Sequence, residues 1–248
     1  MNAWFNKSVV VAAGALVLAG ASMSAQAQSF SEGFNGSVVP TGWTLTNNST
    51  RASTGSLWSV APGILDSTGA VVVPAFEGDT YALVNYTSVG SGTGTISNWL
   101  ISPEIFGIQN GDTFSFYTTT TPSSAYPDRL EFRLSSAGAG VDVGTTVTSV
   151  GSFSTVLATV NSGLTVGGYP TTWTQVTATV SGLAAPIDGR VAFRYFVTSG
   201  GPSGANSNII GVDAFSYTSV SAVPEPATWA MAAIGLMGLV TLRRQRRD

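Results

Sequence analysis

The sequence predicts an all-β fold, an antiparallel jelly-roll-like β-sandwich, between two targeting segments. Apolar and polar residues alternate through most of the chain, and Gly, Pro, Asn or Ser interrupts the alternation about every ten residues, the spacing of short strands and turns. Only 9% of the 248 residues are charged, whereas 44% are hydrophobic, and the chain contains 29 glycines. This composition is typical of a packed, strand-rich domain and not of a disordered polyelectrolyte.

Residues 1–27 have the organisation of a secretory signal peptide. Lys7 lies in a short polar start, an apolar run extends from Val9 to Ala21, and Ala25 and Ala27 form a small-residue box. This order predicts export and cleavage after Ala27. The alternative, a buried first helix, is disfavoured by the box and by the abrupt change of composition after it.

Residues 222–248 form a second targeting segment. Pro224, Glu225 and Pro226 precede an uncharged run of 16 residues, 227–242, and four arginines follow it: Arg243, Arg244, Arg246 and Arg247. As a helix the run would measure about 24 Å against about 30 Å of hydrocarbon, which predicts a short transmembrane helix with its arginine tail, 243–248, in the cytoplasm. The alternative is a nucleic-acid or acidic-lipid patch.

The motif, apolar run and arginine cluster resemble the PEP-CTERM sorting signal of Gram-negative bacteria. The resemblance implies passage through the secretion machinery, transient insertion in the inner membrane, and recognition by an exosortase, a membrane transpeptidase-like sorting enzyme. It implies a final place in the cell envelope, at the cell surface or in the extracellular matrix, in connection with exopolysaccharide and biofilm. A permanent anchor is the alternative to cleavage, although Gly235 and Gly238 interrupt the short helix.

The domain between the two signals, residues 28–221, is acidic and has the length of one sandwich. It contains five arginines, eleven carboxylates and no lysine. Such a surface repels nucleic acid and acidic polysaccharide but is compatible with cations or neutral glycans. We therefore predict no nucleic-acid partner and consider an exopolysaccharide or another glycan as a partner.

Turn signals and alternation locate the strands of this domain. The turn signal Asn110-Gly111-Asp112 precedes a strand over residues 113–118, in which Phe114 and Phe116 face the same side. Further strands are expected over residues 80–86, 172–180, 190–197 and 211–218. No segment between residues 28 and 221 has a helical repeat, so an antiparallel sandwich with one wet and one packed face on each sheet is expected.

Charged residues alternate with apolar ones in the strand that follows Pro127. Leu130 and Phe132 are expected on the packed side of the strand, whereas Arg129, Glu131 and Arg133 share the other side. We interpret these three as an ion-pair ladder on the solvent-exposed face of the sheet, where each pair contributes little to stability.

Five short strings occur in order along the exported domain: FSEGF from Phe30, PTGW from Pro40, ISNWLISP from Ile96, PDRLE from Pro127 and NIIGVD from Asn208. Together they resemble the choice-of-anchor J domain, related to cleaved-adhesin and MAM-like jelly rolls. The resemblance implies a jelly-roll sandwich and an adhesin-like surface function. The stretch over residues 56–76 matches the family only loosely.

The same resemblance implies a structural calcium ion between the first and last strands. Its candidate ligands are Glu32 and Asp213, with backbone carbonyls and water completing the six to eight oxygens that calcium takes. The alternative is that Asp213 caps a turn and Glu32 is solvated.

The residue types exclude several catalytic chemistries. The chain has no histidine and no cysteine, and its one lysine is Lys7. A Ser-His-Asp triad, a Cys-His pair and a His/Cys metal or haem site are therefore absent. We predict no catalytic residue and a non-catalytic adhesion, glycan-contact or structural role. A carbohydrate-active enzyme using two paired carboxylates is the alternative.

Aromatic residues are the candidates for glycan contact, because their rings can stack on sugars. They are Trp43, Trp58, Trp99 and Trp173, with Tyr126 and Tyr169. Trp43 and Trp99 lie in the family-like strings, and we expect both in the core. Trp58 lies in the loosely matched stretch, and we predict that it is the exposed aromatic residue facing a ligand.

Overall fold

A computed structural model describes residues 29–220 of the chain; the predicted signal peptide, transmembrane helix and arginine tail lie outside these residues. One 3-10 helix, Tyr86–Ser88, interrupts a series of strands in this part of the chain. In chain order the strands are β1 (Ser29–Glu32), β2 (Thr44–Asn47), β3 (Ser59–Ala61), β4 (Gly63–Leu65), β5 (Val71–Pro74), β6 (Tyr81–Asn85), β7 (Gly94–Ile101), β8 (Ile105–Ile108), β9 (Thr113–Thr120), β10 (Leu130–Ser135), β11 (Thr155–Val160), β12 (Thr174–Thr179), β13 (Ile187–Gly200) and β14 (Ile209–Thr218).

Two six-stranded antiparallel sheets form the domain, which confirms the predicted all-β sandwich. The first sheet has the order β12-β9-β14-β6-β3, with β1 beside the second half of β14. The second has the order β11-β10-β13-β7-β2, with β8 beside the start of β13. The strands expected around residues 80–86, 113–118, 172–180, 190–197 and 211–218 are all present.

The core consists of apolar side chains from both sheets. Phe114 and Phe116 are buried, as the alternation in β9 predicts. The ring of Phe193 lies at the centre, 4.9 Å from that of Phe116, 5.0 Å from that of Phe132 and 5.7 Å from that of Phe215. Such aromatic pairs bury much apolar area and favour edge-to-face or offset geometry, so this cluster joins the two sheets.

A hairpin of β4 and β5 covers part of the outer face of the first sheet. Ile64 and Val73 of the hairpin pack on Tyr81 and Leu83 of β6. The Tyr81 hydroxyl donates a hydrogen bond to the carbonyl oxygen of Val73 (2.8 Å) and accepts one from the backbone N–H of Ile64 (2.9 Å). Within the loosely matched stretch over residues 56–76, β3 thus extends this sheet and the hairpin covers it.

The outer face of the second sheet is covered by the connection over residues 136–154. Val143 and Phe153 from this segment pack on Trp99 and Ile101. The guanidinium of Arg194 lies over the Trp99 ring, 4.8 Å from its centroid, and donates to the carbonyl oxygen of Val147 (2.8 Å).

Because this connection covers the outer face of the second sheet, the expected ion-pair ladder does not lie on a solvent-exposed face. Glu131 is only 9% exposed, and its Oε2 accepts hydrogen bonds from Arg133 Nε (2.7 Å) and Arg194 Nη1 (3.1 Å). Arg129 donates instead to the carbonyl oxygen of Phe196 (2.7 Å). The prediction was wrong because alternation identifies the outward side of a strand but not whether a distant segment covers it.

Candidate functional site

Three connections between the sheets meet at one end of the sandwich. They run from β6 to β7 (86–93), from β9 to β10 (121–129) and from β13 to β14 (201–208). β14 is antiparallel to β6 and β9, and β13 is antiparallel to β7 and β10, so all three loops lie at the same end. Loops at one end of a rigid sandwich are the usual place for a binding site.

A hollow of about 260 Å³ opens between these loops; we call it the tyrosine hollow. Tyr126 is 51% exposed and Tyr86 is 40% exposed. The lining residues are Tyr86, Tyr126, Gly201, Pro202, Gly204, Ser207 and Asn208. None of them is charged, so the hollow offers aromatic faces, three hydroxyls, an amide and backbone groups, which suit an uncharged polar ligand.

The β13–β14 loop is built tightly on one side of the hollow. Ser207 has a φ of 76°, a conformation that non-glycine residues seldom adopt, and its Oγ accepts a hydrogen bond from the backbone N–H of Gly201 (3.0 Å). Gly201 has a φ of 102°, and a Cβ there would lie 2.7 Å from the carbonyl oxygen of Gly92. Glycine adopts a positive φ freely, so the strain lies at Ser207, and such strain persists only where the surroundings enforce it.

The buried carboxylate of Asp128 holds the backbone of Asn208 in place. Asp128 Oδ1 accepts hydrogen bonds from the backbone N–H of Asn208 (2.7 Å) and from the Tyr195 hydroxyl, and its Oδ2 accepts one from Thr120 Oγ1 (2.9 Å). Burial raises the pKa of Asp128 to about 6, against the opposing effect of these hydrogen bonds. The Asn208 Nδ2 donates to Thr121 Oγ1 (2.6 Å), which orients the amide.

The structure places three of the four tryptophans considered from the sequence in the interior, whereas Trp173 is half-buried and its Nε1 donates to the carbonyl oxygen of Pro74 (2.9 Å). Trp43 and Trp99 are buried, as expected. Trp58 is only 2% exposed, and its Nε1 donates to the carbonyl oxygen of Asn98 (3.3 Å). The prediction of Trp58 as a ligand-facing residue was therefore wrong: the segment that carries it folds back onto β7. Tyr169 is also buried, whereas Tyr126 lines the hollow.

The two candidate calcium ligands accept hydrogen bonds from the backbone. Asp213 Oδ2 accepts from the N–H groups of Phe76 (2.9 Å) and Glu77 (3.1 Å), and its Oδ1 accepts from Ala214 (2.7 Å). Glu32 Oε1 accepts from Phe34 (2.7 Å). Within residues 29–220, no group of three or more acidic, His or Cys side chains could hold a metal. Glu32 and Asp213 would thus supply only part of a calcium shell, and calcium stays a prediction.

Residues 222–247 match the model of the PEP-CTERM protein-sorting motif. This part of the chain is a sorting signal. The predicted motif residues Pro224, Glu225 and Pro226 and the terminal arginines all lie within the match. The chain is therefore an exported, exosortase-sorted protein of the cell surface. In the described residues, which exclude the predicted helix at 227–242, no helix has the length and hydropathy of a membrane span.

Comparison with solved structures shows the fold of the domain. The K3 cleaved adhesin domain of Lys-gingipain from Porphyromonas gingivalis is similar with a TM-score of 0.51 and 18% identity, over 78% of this chain and 99% of that chain. The K1 cleaved adhesin domain of the same protein is similar with a TM-score of 0.48 and 19% identity, over 77% of this chain and 97% of that chain. The CBM22-1 xylan-binding domain from Paenibacillus barcinonensis is similar with a TM-score of 0.43 and 14% identity, over 78% of this chain and 94% of that chain. A comparison with curated proteins found no match.

Sequence reasoning identified only part of the hollow. Tyr126 was considered for glycan contact, but Tyr86 was not, and Asn208 was noted only within a family-like string. About 120 residues separate Tyr86 from Asn208 in the chain, so no local spacing connects them. The available signal was the series of Gly, Pro, Ser and Asn residues after β13, which predicts a structured loop.

Proposed function

We propose that this chain is a non-catalytic protein of the Gram-negative cell envelope or extracellular matrix, whose sandwich contacts neutral glycan in an exopolysaccharide or biofilm layer. One observation carries the proposal: two exposed tyrosines flank an uncharged polar hollow at the loop end of an exported domain. Tyrosine rings can stack on the apolar faces of sugars, and the hydroxyl and amide groups can bind sugar hydroxyls.

The absence of charged side chains from the lining of the hollow favours neutral glycan over acidic polysaccharide. An acidic sugar would need a cationic partner, and no Arg or Lys lines the hollow. The exported domain has eleven carboxylates against five arginines, which repels anions at long range.

Catalysis by paired carboxylates receives no support from the hollow, since no Asp or Glu lines it. Asp128 lies nearby but is fully buried and accepts hydrogen bonds on both oxygens. A glycosidase needs two carboxyl groups on opposite sides of the scissile bond.

An array of neutral and acidic glycans tests the proposal. The protein is produced in a bacterium that contains an exosortase and recovered from its surface, and the variants Tyr126→Ala and Tyr86→Ala are prepared in the same way. We expect binding to neutral glycans and a loss of about tenfold in affinity in each variant, which corresponds to about 1.4 kcal/mol of lost aromatic contact. Phe76→Ala is the matched control, because Phe76 is 43% exposed but lines no part of the hollow.

Each other outcome of the array contradicts a stated part of the proposal. Absence of glycan binding would leave a structural role. Binding that Phe76→Ala removes, but the tyrosine variants do not, would move the site to the outer face of the first sheet. Shortening of the bound glycans during incubation would contradict the non-catalytic role.

The fate of the tail requires a separate experiment. We propose that an exosortase cleaves near Pro226, because the prolines keep the backbone extended and accessible where the apolar run begins. Intact mass spectrometry of the protein recovered from the cell surface should then give a mass that lacks residues 229–248. Full-length chain that retains Arg247, in cells with an active exosortase, would establish a permanent anchor instead.

A further inference from the structure

A second hollow lies directly beside the tyrosine hollow. It has a volume of about 280 Å³, and we call it the serine hollow. Its lining residues are Gly55, Ser56, Leu57, Ser59, Leu83, Val84, Asn85, Thr87, Ser88 and Ile209.

The same two chain segments line both hollows. Tyr86 lines the tyrosine hollow, whereas its neighbours Asn85 and Thr87 line the serine hollow. Likewise, Asn208 lines the tyrosine hollow and its neighbour Ile209 lines the serine hollow. A hydrogen bond from the backbone N–H of Tyr86 to the carbonyl oxygen of Asn208 (2.8 Å) joins the two segments. The hollows are thus adjacent, with this joined pair between them.

The chemistry of the second hollow matches that of the first. Its polar side chains are hydroxyls and one amide, and no charged side chain lines it. Leu57 is 37% exposed and adds an apolar patch. A ligand that crosses from one hollow to the other would therefore meet uncharged polar groups and apolar patches throughout, as one uniform neutral polymer would require.

The volumes favour a ligand that occupies both hollows. Each lies near the lower end of the roughly 300–1,000 Å³ typical of small-molecule sites, whereas the two together lie well within that range. A single sugar would use one hollow, and a chain of sugars could use both.

We propose that the two hollows are consecutive subsites for one neutral oligosaccharide chain of at least two sugar units, which passes over Tyr86. This inference rests on the proposed glycan contact and adds to it the length of the ligand and the position of its second unit. A chain bound in this way is recognised along its length, and affinity rises when the second subsite is filled.

Chain-length dependence tests the inference with gluco-, xylo- and manno-oligosaccharides of one to six units as probes. The protein is again recovered from the surface of exosortase-containing cells. Leu57→Arg and Ser59→Arg place a long side chain at the serine hollow from positions that are already exposed, and thermal melting verifies that each variant is folded. Of the two hollows, Tyr126→Ala alters only the tyrosine hollow.

We expect the parent to bind chains of two or more units at least about tenfold more tightly than the single sugar. Leu57→Arg and Ser59→Arg should remove this advantage and leave the affinity for the single sugar unchanged, whereas Tyr126→Ala should weaken both. Equal affinity for one unit and for many, or long-chain binding that survives both arginine variants, would overturn the two-subsite inference while the proposed function stands. Absence of binding to every probe and to the wider array would instead contradict the proposed function.

Discussion

Asn47 and Asn98 occupy paired positions on β2 and β7, and both side-chain amides donate hydrogen bonds to Ser56 and Ser88. Asn47 Nδ2 donates to the carbonyl oxygens of Ser56 (3.1 Å) and Ser88 (2.9 Å). Asn98 Nδ2 donates to the carbonyl oxygen of Ser56 (2.8 Å) and to Ser88 Oγ (2.9 Å). Since Ser56 and Ser88 line the serine hollow, this pair fixes its position on the second sheet.

Asn98→Ala should therefore loosen the serine hollow and destabilise the domain. Asn98 is fully buried, and the substitution removes its two side-chain hydrogen bonds from the interior, which costs about 1–3 kcal/mol. Urea denaturation measures the change in the free energy of unfolding. Asn206→Ala, which removes an amide that donates to the carbonyl oxygen of Thr198 near the surface, is the control and should cost much less. Equal losses in the two variants would contradict the assigned role of Asn98.

Glu131→Ala should be among the more destabilising substitutions. Arg194 is 1% exposed, and burial lowers its pKa to about 10, so it stays charged at neutral pH. Removing Glu131 leaves this guanidinium without its carboxylate partner, at a cost of about 3–5 kcal/mol. The control Glu104→Ala removes a carboxylate that belongs to neither ion pair and should change stability by less than about 0.5 kcal/mol. Similar unfolding free energies for both variants would show that the ion pair contributes little.

Asp128 should make the stability fall as the pH rises from about 4 to about 6. Its pKa is raised to about 6 in the folded protein, against 3.8 as the ordinary value, so the folded state keeps a proton that the unfolded state releases. At about 1.36 kcal/mol per pKa unit, this contribution is about 2–3 kcal/mol, present below pH 4 and lost by pH 6. In Asp128→Asn the difference in the free energy of unfolding from the parent should vary across this window. A constant difference would contradict the raised pKa.

Calcium, if bound by Glu32 and Asp213, should raise the melting temperature. Asp213 already uses three of about four acceptor positions for backbone N–H groups. We expect EDTA to lower the melting temperature by about 2–4 °C for each kcal/mol of binding free energy, and Asp213→Asn to abolish the response. An unchanged melting temperature in EDTA would leave Asp213 with the turn-capping role alone.

The sequence by itself determined six of the fourteen strands between residues 29 and 220, because the signal for a strand is local. The side chains of Phe114 and Phe116 lie two residues apart, so they face the same side of any extended strand, whatever the partner strands are. The turn at Asn110-Gly111-Asp112 is equally local, and Gly111 has the positive φ, 93°, that such a turn requires. The sorting motif at residues 222–247 is a linear signal and was identified without any structure.

Only the tertiary structure decided which outward-facing side chains are covered and which residues meet at the hollows. Glu131 points outward from its strand, yet the segment at 136–154 covers it, and Trp58 lies in a connecting segment, yet it is buried. Tyr86, Tyr126 and Asn208 meet because three loops cross between the sheets at the same end. Burial and site assembly depend on contacts between residues far apart in the chain, and such contacts have no periodic signature in the sequence.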